Sequence, residues 1–225
     1  MKQQMKENLE DKTSNAKLIQ MAIWLSWFTV IYNILEGVVS IALGVSEGSM
    51  ALAGFGGDSL IEVGSAFMVL WRFRGETAQG SELSKDRERK ATLGIGVLFL
   101  LLAAITLLAS VIQIATQSHP ETTVPGVIIA GISISFMFYL WKAKMRIGHQ
   151  LQSQTILKDA ACSLACIKLS FVLFAGSIVF HFFPAFWWTD AAAALLLTIF
   201  IGKEGWEIVS AARKSDFSGG CGCPH

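Results

Sequence analysis

Six apolar stretches, at about 18–44, 49–72, 91–115, 126–146, 155–182 and 187–211, constrain this chain more than any other feature. Each exceeds the ~20 residues a helix needs to cross a bilayer core, and each is too long for a strand in a soluble core. Lipid offers no partner for backbone polar groups, so stretches of this length must span as helices. The expected fold is therefore an all-α membrane protein with six transmembrane helices. Composition agrees, at 53% hydrophobic and 16% charged residues, where a soluble domain carries about 25% charged. A soluble enzyme, a disordered chain and a secreted disulfide scaffold are excluded on this ground. The net charge of +1 gives no reason to expect a nucleic-acid partner.

Three regions follow. Residues 1–17 are polar and of mixed charge and read as a cytoplasmic N-terminal tail, residues 18–212 as the six-span domain, and residues 213–225 as a cytoplasmic Cys-rich tail. The Lys and Arg residues set the orientation. The N-terminal tail holds Lys2, Lys6, Lys12 and Lys17, the 72–90 connection holds six, the segment Lys142–Arg146 holds three, and Arg213 with Lys214 opens the last tail. The alternate connections, near 45–48, 116–125 and 183–187, hold none. By the positive-inside rule both termini are expected in the cytoplasm. The expected location is a cell membrane of the bacterial inner-membrane type.

Span two contains Asp58-Ser-Leu-Ile-Glu62 and span five Cys162-Ser-Leu-Ala-Cys166, 104 residues later. An offset of three spans would give the halves opposite orientations, as in inverted three-helix repeats, whose substrate sites lie near the midplane. Asp58 and Glu62 are four residues apart on a helix, so they share a face about 6 Å apart along the axis. Mid-membrane carboxylates are costly unless paired or hydrated. Proton binding and cation binding are both open, beside a plain helix-helix hydrogen bond. Cys162 and Cys166 repeat the spacing. Alone they would be small buried hydrophobes; facing two carboxylates they complete a four-ligand set suited to a tetrahedral divalent ion. Thiolates favour soft or borderline ions such as zinc or cadmium over magnesium and calcium. Asp159 precedes Cys162 by three residues and would receive or hand on the ion.

The segment Gly44-Val-Ser-Glu-Gly-Ser-Met-Ala-Leu52, followed by Asp58-x-x-x-Glu62, resembles spans one and two of the cation diffusion facilitator transporters. Asp159-Ala-Ala-Cys162-Ser-Leu-Ala-Cys166 is similar to that family's fifth span, and Asp190-Ala-Ala-Ala with Gly205-Trp-Glu207 to its sixth. The resemblance implies export of a divalent metal ion from the cytoplasm in exchange for protons, commonly by a homodimer. It departs from the family in its cysteine pair and in the few residues left for a C-terminal metal-sensing domain.

Other polar residues have weaker claims. Cys221, Cys223 and His225 in the last tail form a Cys-Gly-Cys chelator for a soft ion or a plain chain end. Asn33 and Glu36 read as helix-helix hydrogen-bonding groups, and His119, Glu121 and His181 as solvated residues near the outer side. Phe182, Phe183, Phe186, Trp187 and Trp188 read as an interface belt. Lys168, inside span five, is expected to snorkel, to pair with an acid, or to occupy a cation's place. No phosphate-binding loop or nucleophile elbow is present, so neither ATP use nor enzymatic activity is expected. The rival readings are a non-transporting membrane metal sensor and a thiol oxidoreductase. Cysteines four apart on a helix are poorly placed for a disulfide, which ranks the last lowest.

Overall fold

The computed structural model of the protein describes residues 2–47, 50–74, 81–116, 124–182 and 189–214. Among these, the chain forms six helices and no strand: α1 (Lys2–Glu47), α2 (Met50–Phe73), α3 (Ser81–Thr116), α4 (Val124–Leu151), α5 (Gln154–Phe182) and α6 (Thr189–Arg213). Each expected apolar stretch is the body of one helix. Two helices run well past their stretch. The polar residues before Leu18 continue α1, and the charged run Ser81–Lys90 is the first part of α3. Lys, Glu, Gln and Arg are good helix formers, and Asp86 and Lys90 add an i,i+4 ion pair at 2.7 Å. Apolarity marks where a helix can enter lipid, not where it starts.

The outer surface is apolar, and the interior sets many polar side chains among apolar ones. Trp24, Phe28, Ile31, Leu35 and Val38 of α1 are exposed, while Ser26, Thr29, Asn33, Glu36 and Ser40 of the same helix are buried. The buried five recur at intervals of three and four, a stripe ~21 Å long on one helix face. Water would not solvate such an exterior, whereas lipid would. The segments Asn15–Leu43 and Lys85–Thr116 are long and apolar enough to cross a bilayer. The molecule is built as a membrane protein.

Helix α1 packs on α2, α4 on α5, and α3 on α6, with α2 and α5 meeting in the middle. Apart from an α3–α5 contact, these pairings map onto themselves when α1–α3 is exchanged with α4–α6. Glycines allow the tightest crossings. A methyl at Gly56 would lie 2.8 Å from the Gly37 carbonyl oxygen, and one at Gly205 would lie 2.9 Å from Phe99 Cβ. Dispersion at close approach replaces the hydrophobic effect as the force between helices in lipid.

Two local devices position α5. Helix α4 ends at a left-handed Gln152 (φ 50°), with the Ser153 N–H donating to the Gly148 carbonyl at 3.0 Å, so the chain reverses within two residues. Glu88 of α3 then caps α5, accepting from the Thr155 N–H and the Ser153 hydroxyl, each at 2.7 Å. The same carboxylate pairs with the buried Arg72 at the end of α2. Glu88 thus ties together three helix ends. Next to it Arg89 donates to the Ala212 and Arg213 carbonyls and closes the end of α6.

Candidate functional site

The short α4–α5 turn sets up the site. Lys144 lies eight residues before Gln152 and Asp159 seven after it, so both stand ~11 Å from the turn on antiparallel helices. The Lys144 ammonium is 3.0 Å from Asp159 Oδ2 and donates to Ser163 Oγ at 3.0 Å. Asp159 Oδ1 accepts from Ser65 Oγ of α2 at 2.6 Å. Lys144, Asp159, Ser65 and Ser163 are all buried. An ion pair this deep is held by hydrogen bonds on both partners, as a desolvated pair requires.

Glu62 lies next along α2. It is fully buried, and neither carboxylate oxygen makes a hydrogen bond. Lys144 is the nearest cation, at 3.9 Å from Oε1, outside hydrogen-bonding range. One turn further on, the Asp58 carboxyl lies against the Cys166 thiol, while its Oδ1 finds no partner. Cys166 and Cys162 touch, and both are buried free thiols. Across the antiparallel α2–α5 contact the order is thus Ser65 with Asp159, Glu62 near Cys162 and Ser163, and Asp58 with Cys166.

Glu36 of α1 forms a separate branch. Its carboxylate accepts from Ser59 at 3.0 Å and from Tyr32 at 3.2 Å. That is the helix-helix hydrogen bonding expected of it. Asn33 donates to the Thr29 carbonyl of its own helix at 2.9 Å, and its Oδ1 is buried without a partner.

The four residues singled out in sequence therefore share one interior region, with Asp159 beside them. They are not gathered round one point: among the described residues no group of three or more His, Cys, Asp or Glu side chains is placed to hold a metal ion. Cys221, Cys223, His225, His119 and Glu121 lie outside the described residues, as does the interface belt beyond Phe182. Lys168 is exposed on α5 and takes no part in the cluster. The lysine that does is Lys144, which the charge pattern grouped with Lys142 and Arg146 as an inner-side residue. Its signal was available: side chains two apart on a helix point ~200° from each other, so these three cannot all face the same water.

Among the described residues these features define a helical membrane protein whose interior carries acids, thiols and one buried lysine. No protein-family model matches the chain. It is 25% identical over 189 residues to Transmembrane protein 163 of Xenopus laevis, across 82% of this chain and 64% of that protein. The chain thus spans less than two thirds of the length of the curated relative it matches.

These findings correct the resemblance drawn from motifs. With no family model matching and the curated similarity lying with Transmembrane protein 163, membership of the cation diffusion facilitators is not upheld, and with it falls metal export by proton exchange. The physical reason is that the motifs are generic. Small residues at close crossings, and polar residues four apart on a buried face, are what any polar-cored membrane bundle requires.

Proposed function

We propose that this chain is a multi-pass membrane protein whose interior binds a soft or borderline divalent cation, with Asp58, Glu62, Cys162 and Cys166 as the coordinating set. The observation carrying this reading is Glu62, wholly buried with neither oxygen hydrogen-bonded and its nearest cation, Lys144, 3.9 Å away. An unsatisfied carboxylate in a low-dielectric interior is too costly to persist without a counter-charge or a proton. Asp58 Oδ1 has the same defect one turn away. Among the described residues four buried carboxylates (Glu36, Asp58, Glu62 and Asp159) stand with one buried lysine, so acid exceeds base in this region. A divalent ion offsets much of that charge, and ligation by the two sulfurs, which lose their protons on binding, tilts selection towards cadmium or zinc. The four side chains lie on facing helices, and holding an ion requires them to converge from the separate positions they have here.

The protein crosses the bilayer six times with both termini in the cytoplasm. The Lys and Arg asymmetry of the connections supports this, and the apolar exterior supports immersion in lipid.

The test is equilibrium binding of cadmium to the full chain carrying Cys221→Ser/Cys223→Ser in lipid nanodiscs, with manganese and magnesium as hard-ion competitors. Saturable cadmium binding that resists the competitors and is weakened by Glu62→Gln is expected. No binding by folded protein, or binding indifferent to Glu62→Gln, would overturn the reading.

A further inference from the structure

Thr155, Asp159, Cys162 and Cys166 recur at intervals of three and four on α5, so they share one face. They meet Asp58, Glu62 and Ser65 of α2, and all seven are buried. The two helices thus form a polar seam, and at one end a single residue of α3 covers it. The Glu88 carboxylate pairs with Arg72 of α2 and accepts from the Ser153 hydroxyl and the Thr155 N–H, each at 2.7 Å. The Glu88 carbonyl accepts from the Thr155 hydroxyl at 3.3 Å, and one turn on, the Thr92 hydroxyl lies 3.3 Å from that same oxygen. All five of these side chains are buried, while Lys85, Asp86 and Lys90 on the adjoining turns of α3 are exposed. The clasp is therefore the layer between solvent and the seam. Measured along α5 from Thr155, Cys162 lies ~10 Å further in and Cys166 ~16 Å.

The α3–α5 contact is also the one that breaks the exchange of halves: α6 and α2, its counterparts, make no comparable contact among the described residues. Where two halves of opposite orientation pack together, rocking of one against the other is the usual motion, and a contact made at one end only is the contact such a motion breaks. The clasp suits that role. It is made of hydrogen bonds and an ion pair, which water replaces when helices part, unlike the close crossing of Gly205 on Phe99. Behind it Glu62 and the Asp58 Oδ1 are buried without a hydrogen bond, so water that reaches them is bound favourably.

We propose that Arg72, Glu88, Ser153 and Thr155 form a gate: closed, it shuts the α2–α5 seam from water at this end, and its release, by α3 parting from α5, admits water as far as Cys162. The gate rests on the clasp and the seam alone and holds whether or not the interior binds an ion. Glu88 is its centre, because one carboxylate joins the end of α2 to the start of α5, and weakening it loosens both.

The experiment is thiol accessibility of the full chain in nanodiscs, where both faces meet solvent, with a charged, impermeant methanethiosulfonate as the probe. Every sample carries Cys221→Ser/Cys223→Ser, and either Cys166→Ser or Cys162→Ser leaves one interior thiol. Glu88→Gln should speed labelling of Cys162 by about tenfold or more, and of Cys166 by less, because water enters from the Glu88 end. Thr155→Val spares the carboxylate and its Arg72 pair but removes both hydroxyl contacts, so it should act in the same order and more weakly. It decides alone should Glu88→Gln fail to fold. A thiol far from the clasp separates opening from unfolding. Ala194 is buried on α6, ~28 Å along the helix from Arg213, and Ala194→Cys, with both interior cysteines replaced by Ser, should label at a rate that Glu88→Gln and Thr155→Val leave unchanged. Unchanged Cys162 labelling in every variant that folds, faster labelling of Cys166 than of Cys162, or equal acceleration in Ala194→Cys overturns the gate.

Discussion

Lys144 and Asp159 face each other across the α4–α5 hairpin, ammonium to carboxylate at 3.0 Å, both sealed from solvent. One is the buried basic side chain of α4 and the other the first acid on α5. Their pairing explains how a lysine counted among inner-side charges comes to lie in the core. It also means that each protects the other. Removing either alone leaves a buried charge without its partner, which costs about 3–5 kcal/mol. Asp159→Asn is expected to lower the unfolding midpoint in detergent markedly, and Lys144→Gln/Asp159→Asn to recover most of the loss. Equal destabilisation by the single and double variants would show that the pair is not the source.

Glu88 makes a second such prediction at the helix ends. It accepts from Arg72, Ser153 and Thr155 at once. Glu88→Ala strips α5 of its cap and breaks the buried Arg72–Glu88 ion pair, so a loss of about 3–5 kcal/mol is expected. Thermal unfolding in micelles measures it. The exposed Lys203–Glu207 pair is the control: Glu207→Ala should leave the midpoint within ~0.5 kcal/mol of the original.

Neighbouring glycines should behave oppositely. Gly56 abuts the Gly37 carbonyl, while a methyl at Gly57 would meet nothing within 4 Å. Gly56→Ala is expected to cost about 1–3 kcal/mol through forced separation of α1 and α2. Gly57→Ala should be neutral or stabilise by up to ~1 kcal/mol through helix propensity. The same unfolding assay ranks them.

Lys168 and Lys144 should differ just as sharply. Exposed on α5, Lys168 touches no member of the cluster, and Lys168→Leu should leave both folding and cadmium affinity unchanged. A loss of cadmium binding in Lys168→Leu would place a charge requirement where the structure has none.

Much of this architecture was legible in the residues. Each apolar stretch became a helix because lipid leaves the backbone no alternative. The i,i+4 pairs Asp58/Glu62 and Cys162/Cys166 meet across α2 and α5 because helical periodicity assigns each pair one face, and two interior faces of a small bundle must touch. What could not be read was rotation and exact depth. Whether Lys144 faces lipid, water or the interior depends on the azimuth of α4, fixed by the left-handed Gln152 turn and the α1–α4 packing, neither of which the composition encodes. Helix starts were missed for a related reason: charged helix formers extend α1 and α3 beyond the apolar windows. The resemblance to a transporter family failed because short polar motifs in membrane helices report burial, not ancestry.

The orientation carries its own test. On the proposed orientation, with both termini inside, a single cysteine introduced at position 80, in an otherwise cysteine-free chain, should be shielded from an impermeant thiol reagent in intact cells, and one at position 119 should react. Labelling at 80 from outside would reverse the assignment.

The claim on which the rest depends is that acids of α2 and thiols of α5 hold one soft cation together. Thiolate-to-cadmium charge transfer absorbs in the ultraviolet, and carboxylates alone do not produce it, so the difference spectrum of the protein on cadmium addition reads the bond itself. A band that saturates at one equivalent, vanishes in Cys162→Ser/Cys166→Ser, and needs higher cadmium in Glu62→Gln is the expected result. The Cys-Gly-Cys tail is deleted from every sample so that its thiols cannot supply the signal. A folded protein that binds no cadmium, or binds it without that band, would contradict the account.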